Sequence, residues 1–211
     1  RYVMAITNYT NLQSTITETL NRDDLTSVIP TFIVLAESQM SRDIRHWRME
    51  TRSNGVQDAG DPYMQVPANW VETVRFSVTD GGTSPIAMSD STTMAEKRAI
   101  TNDQYGTPTA YTLEAGQFHL YPTPIEETNV ELIYIAQIPD LATNDTNWLL
   151  SYAPDVYLYG SLLHTAPYLQ DDARVAVWAQ LYSAGVTRLN EASNSAKHSG
   201  SNLKLKVRGL G

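Results

Sequence analysis

The chain contains no cysteine, which excludes disulfides and thiolate metal sites and leaves the redox compartment unreadable. Charge is sparse: only 18% of the 211 residues are Asp, Glu, Lys or Arg, while Thr, Ser and Asn are plentiful. That balance is common in proteins that bury surface against neighbours. Acids outnumber bases, giving a net charge of −8. A free-standing reader of DNA sequence is usually basic, so that class is disfavoured. An acidic surface does suit a conduit that must not hold nucleic acid. Long apolar runs are also lacking. A membrane span needs roughly 20 apolar residues, and the longest stretch, Ile29 to Ala36, is broken by Pro30 and Thr31. No membrane association is expected. The start at Arg1 reads as trimmed or processed, and no secretory signal pattern is visible.

Catalytic patterns are missing too. The histidines are His46, His119, His164 and His198, and no pair has metal-ligand spacing. His119 lies between Phe118 and Leu120 on an expected strand and reads as structural. Asp171-Asp172 falls between two expected helices, where capping outweighs acid–base work, and Glu126-Glu127 reads as a solvated turn. There is no G-x-S-x-G, Walker or G-x-G-x-x-G pattern. The expectation is no enzyme, no metal and no cofactor.

What is present is a dense aromatic block, Asn147 to Gly160. Pro154 suits the first turn of a helix, where its missing N–H costs nothing. Asp155 places a carboxylate at the positive end of the helix dipole. Val156, Tyr159, Leu163 and Ala166 fall on one stripe, and Trp148, Tyr157, Tyr159 and Leu163 are the expected packing residues. Tyr157, Tyr159 and Tyr168 with Trp148 and Trp178 also offer stacking faces for bases or sugars, although aromatics at helical spacing more often serve core or interface.

Elsewhere, helices are predicted from about Thr10 to Asn21, Ser27 to Arg45, Pro154 to Leu169, with Pro167 placed to kink it or end it early, and Asp171 to Ala192. The last carries Ala173, Val177, Leu181 and Ala184 on one stripe, weakened by Gly185. Arg42, Arg45 and Arg48 read as C-terminal capping and surface pairing. The middle third is strand-like: Met64 to Pro67, Val71 to Val78, Ile86 to Met88, and a hairpin of Thr109 to Leu113 with Gln117 to Tyr121. A short helix is expected from about Ser91 to Arg98. Asn129 to Ala136 is apolar on both faces and reads as central. The expected class is α+β. Residues 1–49 and 137–192 form a helix bundle from both chain ends, 50–136 form a β-rich insertion, and 193–211 form an extended C-terminal arm. In that arm Asn202 to Val207 alternate polar and apolar, with Lys197, Lys204, Lys206 and Arg208 and no acid after Glu191. A lone strand is unstable in water, so the arm is either a solvated tail or an addition to another chain's sheet edge.

Three passages, in order, resemble the head-to-tail adaptor (connector or gateway) proteins of short-tailed bacteriophages. They are Ile29 to Glu37 with Met40 to Arg45; Gly106 to Tyr111 with Phe118 to Pro124; and Asn147 to Leu150 with Tyr152 to Gly160. The resemblance implies a structural virion protein of the tail or neck, assembled in the host cytoplasm. Its partners would be further copies in a ring of twelve, the portal protein above, and tail nozzle or tail fibre proteins below. Genomic DNA would pass through the ring's channel without sequence-specific binding. It makes the portal the expected partner of the arm, with Leu203, Lys204, Leu205, Lys206 and Val207 docking. Two other readings stay open at this point: a tail-associated glycan hydrolase, and a carbohydrate- or single-strand-binding module.

Overall fold

The computed structural model describes residues 5–102, 104–169 and 173–199. Its elements run α1 (Tyr9–Leu20), α2 (Ile29–Asp43), β1 (Glu50–Gln57), β2 (Tyr63–Gln65), β3 (Trp70–Val78), β4 (Ser84–Pro85), β5 (Ala87–Met88) and α3 (Ser91–Thr101). They continue with β6 (Ala110–Glu114), β7 (Gln117–Tyr121), β8 (Thr128–Ala136), α4 (Leu141–Asn144), α5 (Trp148–Tyr152), α6 (Pro154–Leu163) and α7 (Arg174–His198). The fold is α+β, and the chain divides into two units, Arg1–Trp47 with Ile138–Gly211, and Arg48–Gln137.

The first unit is helical and centred on α6, which packs against α1, α2, α5 and α7. Local chemistry sets its helix ends. Asn8 caps α1 by accepting from the Asn11 N–H, and Asn147 caps α5 by accepting from the Leu150 N–H. At the other end of α2, the Arg45 Nη1 donates to the carbonyls of Ser41, Arg42 and Ile44, which is C-terminal capping by a cation. Glycines bring the helices close. A Cβ on Gly160 would lie 2.7 Å from the Met40 Cε of α2 and 3.2 Å from the Tyr182 ring of α7. One on Gly185 would meet the Val156 Cγ2 at 2.8 Å. Gly185 thus gives up helix propensity for close packing of α7 on α6.

The second unit holds two four-stranded sheets, ordered β1-β8-β3-β4 and β2-β7-β6-β5. β8 is central, antiparallel to β1 and β3. β6 and β7 form the hairpin, with Ala115 and Gly116 both at positive φ in the turn. Both sheets feed one apolar cluster that includes Phe76, Val130, Leu132 and Tyr134 from one and Tyr111, Phe118 and Leu120 from the other. Phe76, Tyr111 and Phe118 meet at ring-centroid distances of 5.2 to 5.6 Å, in tilted or edge-on pairs.

Several expectations are corrected. β1 is a strand that periodicity does not reveal. Its sequence, ETRSNGVQ, is nearly all polar because it is paired only with β8 and is largely solvent-facing. β3 does not alternate cleanly: its register shifts between Trp70 and Glu72 and between Thr73 and Arg75, and at its other end Phe76, Ser77 and Val78 are all buried. Before Pro154 the short helix α5 occupies Trp148–Tyr152. α6 stops at Leu163 rather than Leu169, and Pro167 lies in a separate 3-10 turn, Ala166–Tyr168. α7 continues to His198, past the arm's expected start at residue 193. Ser193 is buried there and its Oγ accepts from the Trp47 N–H, so a Ser- and Asn-rich stretch is held helical by a tertiary bond. Asp171, Asp172 and the arm residues Leu203, Lys204, Leu205, Lys206 and Val207 lie outside the described residues.

Candidate functional site

Around α6 the packing residues match the expectation only in part: Val156 and Tyr157 are buried as expected, and Tyr159 and Leu163 are not. The buried set is Val156, Tyr157, Gly160, Ser161 and Leu162, whereas Tyr159 and Leu163 are only half-buried. The reason is that α6 has partners on several sides, so the periodicity of a single apolar face does not apply. Tyr157, fully buried, is the hub. Its hydroxyl accepts from the Asn147 Nδ2 at 2.5 Å and donates to the Glu37 Oε1 at 3.3 Å. The same Glu37 oxygen accepts from the Leu141 N–H at 2.8 Å. Asn147 uses its Oδ1 as the α5 cap, and its Nδ2 also donates to the Pro139 carbonyl. This network ties α2, α6 and the segment 139–147 together. Burial pushes the Glu37 carboxyl above the usual carboxylate range, with the nearby Asp140 adding to the rise. Burial raises the Tyr157 phenol strongly as well, so it is a permanent donor at neutral pH. In the sequence neither Asn147 nor Glu37 belongs to a motif that marks it. Nothing in their spacing joins them, because 110 residues separate them along the chain.

Trp148 is half-buried and stacks on the buried His46 at a ring-centroid distance of 5.1 Å. Trp47 and Tyr152 lie 5.6 and 5.8 Å from the same imidazole and are about half exposed. Of the expected stacking aromatics, Tyr157 and Trp178 are buried in the core, and Tyr168 meets Phe32 edge-on at 5.2 Å. These rings serve packing first.

Among the described residues of the second unit, Ser91, Glu114 and His119 bring catalytic residue types together. The Ser91 Oγ donates to the Glu114 Oε1, and the His119 Nδ1 lies 3.3 Å from the Glu114 Oε2. The carboxylate stands between hydroxyl and imidazole. A nucleophilic serine needs the imidazole at its hydroxyl, so the order is wrong for activation. The Ser91 hydrogen bond holds the Glu114 carboxyl below its ordinary range. Tyr63 stacks on His119 at 4.6 Å. The arrangement ties the first turn of α3 to the β6–β7 hairpin. Among the described residues no group of His, Asp and Glu has metal-site geometry, and no helix is long and apolar enough to cross a membrane.

What the helical unit does present is exposed apolar surface. On α7 the expected stripe Ala173, Val177, Leu181 and Ala184 points outward, with Val177 at 52% and Leu181 at 41% exposure. The buried face is the other one: Trp178, Tyr182, Gly185, Val186, Leu189 and Ser193. Periodicity identified the real apolar stripe but not which side faces the core. On α2, Val34 and Leu35 are 52% and 46% exposed. Residues 7–203 match the model of the SU10 adaptor protein family, and the chain belongs to that family. It is a phage adaptor, a structural component of the virion. No curated protein matches the chain.

Proposed function

We propose that this chain is the head-to-tail adaptor of a short-tailed bacteriophage. Twelve copies form a ring beneath the portal, extend the DNA channel and offer a platform to tail nozzle or tail fibre proteins. The ring sits in the neck, is assembled in the host cytoplasm, and lets genomic DNA pass without sequence-specific binding. The observation that carries this reading is the family match across residues 7–203, nearly the whole chain. The net charge of −8 supports it, since an acidic wall repels a sliding polyanion. The C-terminal arm docks on the portal by strand addition through Leu203, Lys204, Leu205, Lys206 and Val207.

Imaging of particles that contain the chain tests the ring. The expected result is twelve-fold density for it at the neck; density elsewhere, or no ring, contradicts the reading. Deleting residues 201–211 tests the arm. The truncated chain should keep its melting temperature and join portal-containing particles less well; joining as well as the full chain does rules the arm out. The binding-module alternative keeps one observation in its favour, the half-exposed Trp47 and Tyr152 beside the His46–Trp148 stack. Titration with oligonucleotides and glycans decides it, and saturable binding lost in Trp47→Ala is the result in its favour.

A further inference from the structure

We draw no further inference here: the strongest candidate, the loop cluster of the second unit that carries the exposed Asp58, Asp61, Tyr105, Ile125, Glu126 and Glu127, carries nothing, because nothing in the structure shows what covers it.

Discussion

The two units of this chain solve the same packing problem differently. The β-rich unit closes its core between two sheets, with aromatic rings at the centre. Its large exposed apolar residues, Val56, Tyr63, Val74, Met88, Ile100, Tyr105, Leu113 and Ile125, are spread over strands, loops and a helix end. Single exposed apolar residues are ordinary on a folded surface. The helical unit closes around α6 yet leaves Val177 and Leu181 exposed one turn apart on α7, and the consecutive Val34 and Leu35 exposed on α2. Contiguous patches of that kind mark places where another protein sits. The difference is one of arrangement: on α7 the exposed Val177, Leu181 and Ala184 share one helix face.

The sharpest way to break this comparison is to remove the helical hub. Tyr157→Ala should cost about 3–5 kcal/mol, by analogy with truncating a buried Phe. Tyr159→Ala, at a half-buried site, should cost well under that. Denaturant unfolding of both variants checks the ranking, and equal losses would restore the stripe expected from sequence. Gly185→Ala is next. Alanine is favoured over glycine by about 1 kcal/mol in a helix, but the new Cβ would lie 2.8 Å from a Val156 methyl. Valine is stiff at χ1 and cannot swing away, and overpacking costs about 1–3 kcal/mol. The net effect should be destabilising; a higher melting temperature would show that α7 and α6 are not so close.

The smallest effect concerns pH. Glu37 has its folded-state pKa raised by burial above the ordinary value of 4.5. Between the unfolded and folded values the native chain binds more protons, so stability falls as pH rises through that window. Below the unfolded value the contribution is fully present. Glu37→Gln keeps an acceptor for the Leu141 N–H and the Tyr157 hydroxyl and cannot ionise. Its melting temperature should therefore decline less with rising pH than that of the parent chain. Parallel curves would mean that Glu37 does not titrate in this range.

Much of the fold was legible because local signals and tertiary demands agreed. Pro30 and Pro154 lie in first turns of helices, Asp90 caps α3, and the two-faced apolar pattern of Asn129 to Ala136 marks the central strand. The failures share one cause, which is that neighbours distant in sequence decide burial. β1 is held by backbone pairing to β8, which leaves no periodic side-chain trace. The end of α7 is held by the contact between Ser193 and Trp47. The Glu37–Tyr157–Asn147 network draws on residues too far apart for any motif. On α7 the stripe was real and its direction was not readable, because Trp178, Tyr182 and Val186 supply a second apolar face.

The central claim is that α7 is buried on one face by its own chain and kept apolar on the other for a neighbour. Two nearby positions separate those roles, Trp178 at 5% exposure and Leu181 at 41%. The most direct test measures melting of the free chain and incorporation into particles for Trp178→Ala and Leu181→Asp. The account predicts that Trp178→Ala lowers the melting temperature sharply, whereas Leu181→Asp melts like the parent and fails to enter particles. A Leu181→Asp chain that melts early, or that enters particles as the parent does, would contradict it.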